Sequence, residues 1–188
     1  MSSVDLEQLL IESGAYMKGH FKLTSGRHSD VYLEKFRILE QPKVLSALCA
    51  EIAEKFAGQA DLVAGPTTGG IIIAHEVARQ MGLNAVYIET ENGKKTLRRS
   101  ASIPAGARVL VVDDVLTTGL SVVETMDAVR EFGGEPSAVG VLIDRSGGQV
   151  DFGVPMFASY TVNAKSWAED EIPDWLAAIP VTKPGTRV

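Results

Sequence analysis

Val109-Leu110-Val111-Val112-Asp113-Asp114-Val115-Leu116-Thr117-Thr118-Gly119-Leu120-Ser121 decides the fold of this chain. An apolar run ends in two adjacent carboxylates, a short turn of hydroxyls and glycine follows, and a helical pattern begins. That order describes a strand delivering its C-terminal end to a helix N-terminus, the place where open α/β sheets bind their ligands. Backbone N–H groups at a helix start are unpaired, and the helix dipole there favours an anion. Thr117, Thr118 and Ser121 add hydroxyl donors, and Gly119 permits positive φ and close backbone approach. Carboxylates repel a phosphate but suit the two donors of a vicinal diol. One segment therefore fits a ribose 5-phosphate.

Working outward, strand and helix patterns alternate. Pro42 opens a helix whose Val44, Leu45, Leu48, Ile52 and Phe56 share one face. Leu62-Val63-Ala64 reads as a buried strand, residues 70–81 as a helix stopped by Gly82, and 84–89 as a strand. Residues 90–96 hold almost no apolar side chain and are expected to be mobile, while 98–103 can pair as a strand. Residues 108–112 form the central strand, 121–132 a helix and 138–143 the next strand. The alternation implies an α/β fold, a central, mainly parallel sheet flanked by helices. Residues 1–40 and 151–188 break the pattern. They are expected to meet as a small hood lobe, with a strand at 156–162 and a short helix at 174–178, completing a single domain of core 41–150 plus hood.

Composition narrows the function classes. The chain has 188 residues, 45% hydrophobic and 22% charged, with net charge −6. Those values are ordinary for a globular protein and argue against general nucleic-acid binding, so any anion site is a local pocket. The single cysteine, Cys49, lies in an apolar helical pattern and reads as a buried thiol. No signal peptide or membrane-length apolar run is visible, which makes the cytoplasm the expected location. His20, His28 and His75 lack metal-ligand spacing. His20 and His28 read as hood-packing residues, as do Trp167 and Trp175 in the C-terminal segment.

The Asp-Asp-to-Ser121 segment resembles the phosphoribosyl diphosphate (PRPP) motif of type I phosphoribosyltransferases. Further segments are similar to the orotate branch of that family: 19–30, Gly65-Pro66-Thr67-Thr68-Gly69-Gly70, Asn92-Gly93-Lys94-Lys95-Thr96-Leu97-Arg98-Arg99, Asp144-Arg145-Ser146-Gly147-Gly148 and Lys183-Pro184-Gly185-Thr186-Arg187. The resemblance implies that Thr67, Thr68, Gly69 and Gly70 wrap the pyrophosphate of PRPP. Many orotate enzymes carry a lysine where this chain has Gly69. Asp113 and Asp114 would hold the ribose, and Val115, Leu116, Thr117, Thr118, Gly119, Leu120 and Ser121 the 5-phosphate. Lys94, Lys95, Arg98 and Arg99 would form a catalytic flexible loop, with Lys94 also touching PRPP. Its cations would neutralise the departing pyrophosphate.

Departures from the common loop pattern are Glu89-Thr90 in place of an Arg-Lys pair, the lack of a histidine, and Ser100-Ala101 in place of Gly-Phe. Arg145, with a planar guanidinium suited to a carboxylate, would take the base together with Thr117, Ser25 and Gly26. Lys22 is the nearest cation to the hood position, Thr24, where familiar enzymes carry lysine. The resemblance further implies Mg²⁺, held by no direct protein ligand unless Asp113 and Asp114 act through water, and a homodimer that shares the loop across its interface. The expected reaction joins orotate to ribose 5-phosphate. Alternatives are transfer to another nucleobase, or a PRPP-binding regulator without turnover.

Overall fold

The computed structural model describes residues 5–23, 25–97, 101–162 and 164–183. Along the chain the elements are α1 (Leu6–Glu12), β1 (Tyr16–Lys22), β2 (His28–Leu33), α2 (Lys35–Leu39), α3 (Pro42–Lys55), β3 (Leu62–Pro66), α4 (Gly69–Met81), β4 (Asn84–Glu91), β5 (Lys94–Leu97), β6 (Arg108–Leu116), α5 (Leu120–Glu131), β7 (Glu135–Asp144), β8 (Met156–Thr161), β9 (Ser166–Trp167), α6 (Asp174–Ala177) and β10 (Val181–Thr182). They fall into two units, Pro42–Val162 and the pair of terminal segments Met1–Gln41 with Asn163–Val188.

The larger unit holds a six-stranded sheet ordered β5-β4-β3-β6-β7-β8. All neighbours are parallel except the β4–β5 hairpin. Val109, Leu110, Val111 and Val112 are wholly buried, which is why β6 reads as an unbroken apolar run: a parallel strand is covered on both faces. From the adjacent strands β3 and β6 the chain leaves in opposite directions, through α4 to β4 and through α5 to β7. Right-handed crossovers then put α4 and α5 on opposite faces. Val109, Val111, Val139 and Val141 pack with Val122, Met126 and Val129 on the α5 face. On the other, α3 packs against α4, β7 and β8. Gly140 makes that approach possible, since a Cβ there would lie 2.6 Å from Ile52 Cγ2.

Two expectations need correction, both about strands. The 156–162 strand joins the large sheet as β8, parallel to β7, instead of lying in the hood. The free edge of β7 offers it a ladder, and Met156 and Ala158 find apolar cover against the α5-face core. Residues 90–96 form a β-hairpin: β4 runs on to Glu91 and pairs with β5 from Ile88↔Leu97 to Glu91↔Lys94. Asn92 (φ 51°) and Gly93 (φ 79°) supply the two left-handed residues of its turn. The expected strand at 98–103 is absent from its described part, 101–103, because Lys94–Leu97 already occupies that edge. The central strand also outruns its expected end, reaching Leu116.

The smaller unit carries the sheet β10-β1-β2-β9. Asp5 caps α1 by accepting from Gln8 N–H, and α1 packs on β1. His20 and His28 are buried with Nε2 and Nδ1 2.6 Å apart, and His20 Nδ1 lies 3.1 Å from the Ile179 carbonyl. A carbonyl only accepts, so His20 carries its proton on Nδ1 and His28 donates from its own Nδ1. The packing role expected of these histidines is thus a hydrogen-bonded relay tying β1 and β2 to the C-terminal segment. Trp167 and Trp175 meet edge to face at 5.9 Å.

Candidate functional site

The candidate site lies at the C-terminal ends of β3, β6 and β7, where the parallel sheet reverses its winding between β3 and β6, the crevice in which such sheets take their ligands. Two strand-to-helix loops flank that point. One runs from Pro66 through Thr67 and Thr68 into α4, and the other from Leu116 through Thr117, Thr118 and Gly119 into α5. Register brings the third strand level, with Leu116 opposite Asp144 and Arg145 N–H donating to the Leu116 carbonyl at 2.9 Å.

The first loop has no room for side chains at Gly65, Gly69 and Gly70. Thr67 N–H donates to Ile88 O at 2.9 Å, and the Thr67–Thr68 peptide is cis. A Cβ on Gly65 would strike the Gly70 backbone, and one on Gly70 would meet Pro66. Thr68 opens α4 without a side-chain capping bond. A Cβ on Gly69 would lie 3.1 Å from Asp114 Cγ and closer still to its Oδ2, so the acid fills the space that a lysine at 69 would enter. In the second loop Gly119 has φ 79°, and a Cβ there would lie 2.8 Å from Val150 Cγ1. Both conformation and packing therefore require glycine. Thr117 and Thr118 are exposed, and Leu120 N–H reaches Thr118 Oγ1 at 3.5 Å.

Asp113 and Asp114 do not sit side by side. Both belong to β6, and strand alternation sends them to opposite faces. Asp113 accepts from Asp114 N–H at 2.8 Å and from the Ser121 hydroxyl at the start of α5. Asp114 Oδ1 accepts from Val115 N–H at 2.7 Å, while Oδ2 lies over Gly69 at the start of α4. Each acid thus reaches a different helix N-terminus, and the pair does not present one joint face to a diol. Burial pushes the Asp113 carboxyl above its ordinary value, with the neighbouring Asp114 charge adding to the rise; the Asp114 N–H, Ser121 and the charge of Lys95 oppose it.

The loop cations divide. Lys94 Nζ is bound to the Glu131 carboxylate at 2.6 and 2.8 Å, at the far end of α5 from the Thr117-Thr118-Gly119 loop. Lys95 is half-buried, and its charge reaches Asp113. Arg98 and Arg99 lie outside the described residues, as does Thr24. Arg145 is exposed and makes no side-chain bond among the described residues. Its neighbour Asp144 is buried and accepts from Ser146 N–H at 2.7 Å, so the two do not form a structural ion pair. In the smaller unit Ser25 and Gly26 occupy the tip of the β1–β2 hairpin, where Gly26 has φ 81°. Lys22 there is paired with Glu169 at 3.6 Å.

Sequence reasoning missed Glu131 and the Gly69–Asp114 contact. A contact spanning 37 residues, as in Lys94–Glu131, has no local signature. The divergence of the two acids was available from period-two alternation once the strand is carried to Leu116.

Residues 37–152 match the family described as the phosphoribosyl transferase domain. The chain is 46% identical over 188 residues to an orotate phosphoribosyltransferase of Pelotomaculum thermopropionicum, covering 100% of this chain and 99% of that protein. Identity to an orotate phosphoribosyltransferase of Caldanaerobacter subterraneus subsp. tengcongensis is 47% over 171 residues, 90% of each chain. The crystal structure of orotate phosphoribosyltransferase from Aeropyrum pernix is similar with TM-score 0.70 and 30% identity, over 84% of this chain and 93% of the other.

Proposed function

Because this chain belongs to the phosphoribosyltransferase family, we propose that it transfers ribose 5-phosphate from PRPP to orotate, giving orotidine 5′-monophosphate and pyrophosphate in pyrimidine biosynthesis. The observation that carries the choice of base is identity of 46% along the whole chain, including segments outside residues 37–152, to a relative of that name.

The ring nitrogen of orotate attacks C1 of the ribose, giving up its proton to water, and the C1–O bond breaks with its electron pair leaving on pyrophosphate. Positive charge grows at C1 and negative charge on the leaving group, as in displacements at sugar C1 generally. Thr117, Thr118 and the backbone of residues 115–121 hold the 5-phosphate at the α5 terminus, Ser121 contributing its N–H while its hydroxyl stays on Asp113. Asp113, braced by Ser121, and Asp114 serve the ribose hydroxyls from the two sides of the strand end. Thr67, Thr68, Gly69 and Gly70 bind pyrophosphate through backbone at the start of α4. Lys94 and Lys95 supply charge to the leaving group, and Arg98 and Arg99 join them by resemblance. Arg145, which makes no side-chain bond among the described residues, takes the orotate carboxylate. Thr117, Ser25 and Gly26 are assigned to the base from the resemblance alone.

Two buried acids, with no cluster of three ligating side chains among the described residues, suit a cation that keeps its waters and arrives with phosphates, as Mg²⁺ does. When bound, it would neutralise pyrophosphate charge, with Asp113 and Asp114 holding its waters. We place the reaction in the cytoplasm, since both substrates are anions that do not cross a bilayer unaided, and in a homodimer with the 92–99 loop shared between subunits. No helix among the described residues is long and apolar enough to cross a membrane.

The test is loss of orotate absorbance on mixing the protein with orotate, PRPP and Mg²⁺, with adenine, hypoxanthine, guanine, xanthine and uracil followed in parallel by product detection. PRPP-dependent turnover of orotate alone is expected. Turnover of another base only would overturn the base assignment, and tight PRPP binding without turnover would make the protein a sensor.

A further inference from the structure

Three observations meet at the start of α4. This 13-residue helix is preceded by Thr68, which makes no side-chain capping bond; its carbonyl accepts from Ile71 N–H at 3.3 Å, and the Thr68 hydroxyl serves none of the first N–H groups. The buried Asp114 carboxylate, on the α4 face of β6, is anchored through Oδ1 to Val115 N–H and extends Oδ2 over Gly69. Residue 69 has no side chain, and any Cβ would take the volume that the carboxylate occupies. A negative charge therefore already stands at the helix terminus that the proposed function gives to pyrophosphate.

We propose that Asp114 is an internal anion of the pyrophosphate loop: in the free protein it occupies the start of α4, and PRPP enters by turning it away. The inference rests on the assignment of residues 67–70 to pyrophosphate. Pyrophosphate and the carboxylate compete for the same electropositive helix start, and two anions do not share it. Turning about its side-chain bonds frees Asp114 from Gly69 and makes its oxygens available to the ribose hydroxyls. Arrival of the leaving group thus releases the acid that holds the sugar, coupling two halves of one substrate. Gly69 is a positioning residue in this scheme, since it provides the resting place of the carboxylate. No bond is made or broken in the exchange.

The experiment uses Asp114→Asn and Asp114→Ala in the full chain, each shown to be folded by its thermal transition. Inorganic pyrophosphate, as the free anion in excess chelator, and ribose 5-phosphate are titrated separately by calorimetry. Removing the resident charge should tighten pyrophosphate binding by roughly tenfold, the gain expected when a binding-competent state populated about one time in ten becomes dominant. Ribose 5-phosphate should bind more weakly, because a hydroxyl acceptor is gone. Opposite changes for the two halves are not what general damage to the site produces. Pyrophosphate affinity unchanged or weakened in both folded variants overturns the proposal. Tighter pyrophosphate with unchanged ribose 5-phosphate supports it and overturns instead the assignment of Asp114 to the diol. Should the alanine variant fail to fold, the isosteric asparagine decides.

Discussion

Glu131→Gln should make the enzyme faster. Lys94, a proposed charge donor to the leaving pyrophosphate, is bound to Glu131 at the last residue of α5, whereas the phosphate loop enters that helix at Leu120. Twelve residues of helix put those ends roughly 17 Å apart, so Lys94 must leave the Glu131 carboxylate before its charge can serve a leaving group, whether in its own site or in the partner's across the proposed interface. The two side chains are 69% and 51% exposed. For an exposed pair, about 0.2–1 kcal/mol is the expected range. Removing it shifts the balance between parked and released lysine by about 1.4- to 5-fold. Turnover limited by delivery of the loop rises by that factor. The assay is steady-state kcat for the parent, Glu131→Gln, Lys94→Ala and the double variant, at low and at molar salt. The gain should vanish in molar salt, where the screening length falls to about 3 Å, and be absent when Lys94 is already alanine. Unchanged or lower turnover in Glu131→Gln, or a gain that survives in the Lys94→Ala background, would show that the Lys94–Glu131 pair does not restrain turnover.

Arg145→Ala should raise KM for orotate by about 10- to 150-fold, the span of a charge-assisted hydrogen-bonded contact, with PRPP affinity unaltered; a direct PRPP titration beside the kinetics checks it, and equal damage to both substrates counts against it. Asp113→Asn should raise the thermal midpoint of the free protein at pH 7 while lowering turnover. The folded-state carboxyl titrates above its unfolded value, so its ionised form opposes folding once the pH exceeds that window, and the gain should disappear as acid protonates the parent. Melting curves across pH read this, and a lower midpoint at pH 7 contradicts it. Glu76 accepts from Arg79, Ser46 and Gln80, and these bonds, Arg79 foremost, hold its carboxyl down at about 2 against an ordinary 4.5. Its contribution to stability is complete above the higher value and lost as pH falls toward the lower. Glu76→Gln should flatten the pH dependence of the melting temperature in that interval, and an unchanged slope would show that the network does not act through this charge.

The sequence was most legible where one element determines its own state. β3 and the Val109–Val112 part of β6 are apolar runs because parallel strands are covered twice, and Thr117-Thr118-Gly119 announces a turn by its chemistry. It was least legible where a partner decides. Residues 156–161 are a strand under any reading, but membership of the large sheet depends on the open ladder of β7. The 90–96 segment has almost no apolar residues to announce a strand, and Asn92-Gly93 encodes its tight hairpin through backbone conformation alone. At the site, the loops and their ends were readable in order. The orientation of Asp113 and Asp114 depended on how far β6 runs, and Glu131 depended on tertiary contact.

That hairpin changes the thermodynamics of a closing lid. A coil that folds over a substrate surrenders backbone freedom as it docks, on the order of 1–2 kcal/mol for each residue ordered. Here the segment from Ile88 to Leu97 is already in register across four paired positions. In the proposed reaction the part that closes is the tip beyond the buried Ile88 and Leu97, a prefabricated ribbon that spent its conformational entropy when the chain folded. Loop charge would then reach the leaving group by flexing of a preformed tip, leaving the binding energy of the substrate for chemistry instead of for ordering the cover.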